Sequence, residues 1–299
     1  MDSRTEAINY HTLIHALQDQ QKVEILVNQI EKEISLAEPF LDHIGLYAEA
    51  TSLSPNKLSE SLFWVRAQYA KLTLHDMVIS TKDPLYPQAL RQLEEPPRFL
   101  YLRGNPDWLK KASLAIVGTR TASVEGIETA KKSVHALVEH PVVIASGMAV
   151  GIEGTALLSA AAMKVPALAV LQTSLVQPVQ SNRLALYNKI LSNGAVVTQI
   201  PPTVEPKAWH VLLKGQLMNA LCRATLVVED RDGGTAVGQA EHAAHIGRQV
   251  ALFQHALDNR SLSWPRRLSL LPHTVVIKRA EELYKTLFIS SKEQLPLFD

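Results

Sequence analysis

The segment Ile116-Val117-Gly118-Thr119-Arg120 closes an apolar run and opens a stretch with helical patterning. The same order of residue types returns at Ile144-Ala145-Ser146-Gly147-Met148-Ala149-Val150-Gly151 and at Val228-Glu229-Asp230-Arg231-Asp232-Gly233-Gly234-Thr235. Each time a β-branched, apolar strand runs into glycine and a small hydroxyl residue, and an alanine-rich helix follows. Glycine lets the backbone turn sharply and approach an anion, while the free N–H groups and positive dipole end of the next helix favour phosphate. Three such turns at the carboxyl ends of parallel strands converge on one crevice, so the chain is expected to hold something phosphorylated.

Working outward from these turns, strands are predicted near Arg98–Leu102, Leu114–Val117, Val142–Ala145, Ala167–Leu171, Ala195–Gln199, Thr225–Glu229, Gln249–Phe253 and Thr274–Ile277, with helices between most of them and a last one from Ala280 to Phe288. Strands that are almost wholly apolar and alternate with helices imply a parallel sheet covered on both faces. The expected fold is α/β, a doubly wound, mostly parallel, Rossmann-like sheet over residues 76–290. A small all-helical domain over 1–75 precedes it and a tail over 291–299 follows. In the helical part, His11 to Ile34 reads as one long amphipathic helix, Ala37 to Ala50 as a second, and Ser54-Pro55 as the start of a third running to Ala70. Only Lys57 and Arg66 are basic on that third helix, which favours packing or partner docking over DNA reading. Between the two parts, Asp83-Pro84, Tyr86-Pro87 and Glu95-Pro96-Pro97 keep the chain extended.

Composition narrows the function classes. The 299 residues are 46% hydrophobic and 20% charged, enough for a full core, and 30 basic against 29 acidic residues give a net charge of +1. A polyanion must therefore be held by a local patch rather than by a global field. The single cysteine, Cys222, excludes an intramolecular disulfide and cysteine-rich metal sites, and its apolar neighbours predict a small buried side chain. No apolar run is long enough to span a bilayer and the first residues lack a signal-peptide core, so a cytoplasmic protein without membrane attachment is expected.

The turn chemistry argues against a nicotinamide enzyme. Arg120 stands where a dinucleotide fingerprint has its second glycine, and its guanidinium fork is suited to bidentate phosphate contact. Pairing with an acid such as Glu125 is the alternative. Ser181-Asn182-Arg183 opens another helix, with Ser181 as a possible cap and Asn182 and Arg183 turned to the crevice. Gly233-Gly234-Thr235 opens the helix ended by Gly247 and forms an anion nest. His242 and His245 share a helical face without a further ligand, so no metal is expected, and no nucleophile elbow or Walker loop is present. The expectation is binding without catalytic residues or a cofactor.

Taken in order, the motifs resemble the DNA-processing protein A (Smf) family. Asp83-Pro84-Leu85-Tyr86-Pro87 through Arg103-Gly104-Asn105 is similar to its lead-in, and Gly118-Thr119-Arg120 to its Gly-Ser-Arg turn. Ser146-Gly147-Met148-Ala149-Val150-Gly151-Ile152-Glu153 resembles its Ser-Gly-x-Ala-x-Gly-Ile-Asp motif. Asn182-Arg183 and Ile200-Pro201-Pro202 also match. The resemblance implies single-stranded DNA binding, recombinase as a protein partner, and a homodimer. The phosphate-holding set is then Gly118, Thr119, Arg120, Ser146, Gly147, Asn182, Arg183, Lys214, Gly233, Gly234 and Thr235. The chain departs from the family pattern at Val150, where arginine is usual, at Leu157, where histidine is usual, and at Lys214-Gly215-Gln216, where Arg-Asn-Arg is usual; each lost cation removes a phosphate contact. Two alternatives remain open at this point. One is an antitoxin that neutralises a phosphoribosyltransferase-type toxin, as in some divergent members. The other is a phosphoribohydrolase-like or nucleotide-sensing domain, although Gly238 stands where that hydrolase has its acid.

Overall fold

The computed structural model describes residues 2–289. Four helices come first: α1 (Ser3–Leu17), α2 (Gln20–Ile30), α3 (Ile44–Thr51) and α4 (Pro55–Tyr69). The single long helix expected from His11 to Ile34 is two helices. Gln18 takes a left-handed conformation (φ 55°) that ends α1, and the Asp19 carboxylate accepts the Lys22 N–H at 3.0 Å to start α2. The expected helix over Ala37–Ala50 begins instead with a tight turn over Phe40–His43 after Pro39, and α3 follows. Ser54 caps α4 through the Lys57 N–H at 3.3 Å, with Pro55 at the first helical position as predicted.

The sheet then assembles in chain order from β1 (Asp76–Ser80), α5 (Gln88–Arg91), β2 (Phe99–Gly104), β3 (Ser113–Gly118), α6 (Val124–His135), β4 (Val143–Ser146), α7 (Ile152–Ala162) and β5 (Ala167–Val170). It continues with α8 (Ser181–Ser192), β6 (Gly194–Thr198), α9 (His210–Leu221), β7 (Ala224–Glu229), α10 (Thr235–His245), β8 (Gln249–Phe253), α11 (Gln254–Asp258), α12 (Trp264–Ser269) and β9 (Thr274–Ile277). The described residues form one nine-stranded sheet in the order β1-β2-β6-β5-β4-β3-β7-β8-β9. β1 and β2 run antiparallel to their neighbours and all other pairs are parallel. The doubly wound, mostly parallel, Rossmann-like reading stands. β1 is not among the expected strands: its five residues precede the proline-marked bridge and are held as a strand by pairing with β2. The last helical stretch is a single 3₁₀ turn over Ala280–Glu282 and a π-turn over Lys285–Ile289, and the tail 291–299 lies outside the described residues.

Alternation along each strand divides the core. Leu114 and Ile116 of β3 face one layer and Ala115 and Val117 the other, so both faces of the sheet are dry. On the first face lie α6, α7, α8 and the N-terminal helices, and on the second α5, α9, α10 and α12. Cys222 is fully buried there, and burial pushes its thiol up to about 12. The N-terminal helices are joined to β2 by polar contacts inside the apolar layer. The hydroxyls of Tyr69 and Tyr101 lie 2.7 Å apart, Tyr69 reaches the His11 ring nitrogen at 3.0 Å, and Arg98 pairs with Glu31 at 2.9 Å while lying over the Tyr10 ring. Among the described residues no helix is long and apolar enough to cross a membrane.

Candidate nucleic-acid interface

The strand order reverses between β3 and β7, and a crevice opens at their carboxyl ends, as topology requires of a doubly wound sheet. Gly118 pairs with Glu229 across this point, and the Thr119 N–H donates to the Glu229 carbonyl at 2.7 Å. The turn before α7 is pressed against the same loop: Gly151 has φ 79°, its missing side chain makes room for the Thr119 carbonyl, and the Ile152 N–H donates to that carbonyl at 3.2 Å. Two adjoining cavities of about 430 Å³ each share Arg120, Ala149, Glu153 and Lys214. One continues over Thr119, Arg231 and the Gly233–Thr235 turn, and the other over Leu171–Leu175, Val179, Arg183 and Tyr187.

The helix starts around this crevice are not vacant. At α6, the Glu229 carboxylate accepts the Ser123 N–H at 3.1 Å and the Ser123 hydroxyl at 2.9 Å, while that hydroxyl caps the helix through the Gly126 N–H at 2.9 Å. At α7, the Glu153 carboxylate lies in the first turn and reaches the Ala149 N–H at 3.4 Å. At α10, Asp230 accepts the N–H groups of Ala236 at 2.9 Å and Val237 at 3.1 Å. The anion in the Gly233-Gly234-Thr235 nest is thus the chain's own Asp230. Asp232 does the same for α12, accepting from Ser263 and Trp264, and the Ser263 N–H and hydroxyl hold its carboxyl below the usual carboxylate range. Each internal carboxylate satisfies N–H groups that a phosphate would otherwise take.

With the starts of α6 and α10 taken, the crevice offers an external anion chiefly side-chain charge. Arg120 is exposed, and it forms no ion pair with Glu125; its guanidinium has no ion-pair or hydrogen-bond partner among the described residues. Arg183 is half-buried over α7, where Gly154 leaves room for it, and it forms no ion pair among the described residues. Arg231, which sequence reasoning passed over, is exposed beside the same crevice and is likewise unpaired. Its signal was its place between two acids in a strand-end turn.

Other expected residues fall differently. Ser146 is fully buried and its hydroxyl donates to the Ile116 carbonyl at 2.5 Å, so it ties β4 to β3 and is turned away from any ligand. Gly147 lies beneath the Glu153–Lys214 pair. Lys214 is 7% exposed and its ammonium lies 2.6 Å from Glu153, so its charge is matched inside the protein rather than offered to phosphate. Ser181 is the first residue of α8 rather than its cap, because Gln180 precedes the helix and makes no side-chain cap bond. Asn182 is exposed at that helix start and lines neither cavity. His242 is engaged by the Asn219 amide at 3.1 Å. At Gly238, open space stands where a hydrolase would need its acid.

The DNA processing protein DprA of Streptococcus pneumoniae is 31% identical over 173 residues, 57% of this chain and 60% of that protein, so the match spans under two thirds of that relative. The X-ray structure of the same organism's DNA processing protein A is similar with a TM-score of 0.72 at 24% identity, covering 93% of this chain and 97% of that one. DNA processing protein A of Helicobacter pylori, whose structure was described for its single-stranded DNA binding mode, is similar with a TM-score of 0.63 at 18% identity, covering 72% of this chain and 96% of that one. At these identities the two structures show the fold. Residues 77–285 match the model of the family described as DNA recombination-mediator protein A, a span that includes the whole crevice, and the chain belongs to that family.

Proposed function

We propose that this protein binds single-stranded DNA through the crevice between β3 and β7 and handles it without chemical change. The observation that carries the reading is the division of labour in the crevice. The starts of α6 and α10 are occupied by Glu229 and Asp230 and Glu153 takes the Ala149 N–H ahead of α7, while the guanidiniums of Arg120, Arg183 and Arg231 have no ion-pair partner among the described residues. A free nucleotide in a Rossmann crevice relies on the helix start for its terminal phosphate, and here that place is taken. Separate guanidinium forks spaced around a groove suit successive phosphodiesters instead. A single strand meets the geometry better than a duplex, because its backbone can follow a concave site while its bases turn into the apolar recess beside Leu171 and Leu175. The reading carries with it a recombinase as the receiving protein, which the family's description as a recombination mediator supports, together with a cytoplasmic setting and a homodimer as further parts of the proposal.

The test is titration of a labelled oligothymidylate with the protein and with Arg120→Ala. The variant is expected to lose roughly 1.5–3 kcal/mol of binding, the scale of a hydrogen bond to a charged group, with an unchanged melting temperature. A variant that binds as the parent does but melts earlier would make Arg120 a structural residue.

A further inference from the structure

Next to the crevice in the chain, though lining neither cavity itself, is an aromatic side chain that the core does not use. Trp209 immediately precedes α9 and is 51% exposed. Its indole stands at 81° to the ring of His210, with centroids 4.6 Å apart, and His210 is itself buried. The buried ring anchors the indole while about half of the tryptophan stays in water, an arrangement that burial of apolar surface would favour changing. Its position relative to the cavities is set by its neighbours in the chain. Pro206 lines one cavity, Val211 lines the other, and Lys214, further along α9, lines both. Two more apolar side chains of this region, Leu212 and Val150, are 61% and 51% exposed.

The charges nearby decide what such a surface fits. Arg120 and Arg231 line the adjoining cavity without ion-pair partners among the described residues. Lys207, two residues before the indole, is exposed and likewise has no ion-pair partner among them. An apolar protein partner would have to bury those cations, whereas a nucleic acid supplies a phosphate for each of them and a flat base for the indole. A duplex keeps its bases stacked inside, so the occupant must have unstacked ones.

We propose that Trp209 is a stacking platform for one base of the bound single strand, an inference that rests on the single-strand reading above. Stacking tolerates any base and releases no counterions, so this contact retains affinity where the chain has few cations.

Two probes of equal length separate base from backbone: an oligothymidylate and an oligonucleotide of abasic sugar-phosphate units. Trp209→Leu is expected to weaken oligothymidylate binding roughly 5- to 150-fold, the loss of one base–aromatic stack. Trp209→Phe should recover most of that loss, and binding of the abasic probe should change by less than about twofold. Tryptophan emission of the parent protein should be quenched by the oligothymidylate, with that quenching reduced in Trp209→Phe. Equal oligothymidylate affinity in the parent and in Trp209→Leu, or an equal loss on both probes, overturns the stacking role while leaving the single-strand reading in place. A parent protein that binds neither probe overturns both. If Trp209→Leu does not fold, the Phe variant and the quenching decide.

Discussion

Glu229 and Ser123 are joined at two points, the Glu229 carboxylate accepting the Ser123 N–H at 3.1 Å and its hydroxyl at 2.9 Å. The Glu229 carbonyl takes the Thr119 N–H at 2.7 Å. One residue at the end of β7 therefore holds both ends of the loop that presents Arg120. Glu229→Ala leaves the start of α6 without its anionic partner, and it is expected to destabilise the protein by about 1–2 kcal/mol, as loss of a helix cap does. Amide hydrogen exchange should also rise over residues 119–123. Unchanged exchange and an unchanged urea midpoint would show that the clamp carries no weight.

Lys214 and Glu153 form a pair that is nearly sealed from solvent, at 2.6 Å. Removing one charge strands the other, so Lys214→Met should cost about 3–5 kcal/mol of stability. Adding Glu153→Gln to that variant should return much of the loss, because no isolated charge then remains. Thermal melts of the two single variants and the double variant give the coupling. A Lys214→Met protein as stable as the parent, but weaker toward DNA, would restore Lys214 to the phosphate-holding set.

His11 gives the fold a dependence on acid. Burial pushes its ionisation down to about 4, beyond what its contact with the Ala7 carbonyl restores. In the unfolded chain the ring ionises near about 6.5, so between these values the unfolded state binds a proton that the folded state refuses. Stability contributed by neutral His11 is therefore fully present above about 6.5 and declines as pH falls toward about 4, by up to about 1.4 kcal/mol per pH unit. Urea unfolding of the parent and of His11→Gln at several pH values should show a steeper decline in the parent over this window. Parallel curves would contradict it.

The fold was legible because its signal is periodic and local. Apolar strands such as Leu114–Val117 and Thr225–Glu229 alternate with helices, and a sequence of that kind has few ways to bury both faces of a sheet. The misses were those where a single residue overrides the pattern. Gln18 breaks an otherwise continuous helical periodicity by turning left-handed, and Asp19 was the available sign of a new start. β1 depends on pairing with β2, a contact remote in sequence. In the crevice, the glycine turns and Arg120 were readable from residue type. What was not readable was which anion each helix start holds, since an Asp or Glu at a strand end can repel a ligand or replace it. Glu229 and Asp230 replace it at α6 and α10, Glu153 neutralises Lys214 on the wall of both cavities, and Ser146 is taken up by the Ile116 carbonyl, while Arg231 lines the crevice without a partner among the described residues. Trp209 gave no pattern at all, because one aromatic residue before a helix is as often core as surface.

The central claim is a crevice with few free cations that nonetheless takes a single strand. Its most direct test is the affinity for an oligothymidylate measured across a range of salt concentrations. On a single strand each neutralised phosphate contributes about 0.7 to the slope of log affinity against log salt. Arg120, Arg183 and Arg231, with Lys207 beside Trp209, predict measurable binding with a slope of about −2 to −3. The account is contradicted by an absence of binding at low salt, or by a slope steeper than about −4, which would require roughly six or more phosphates and cations that this crevice does not offer.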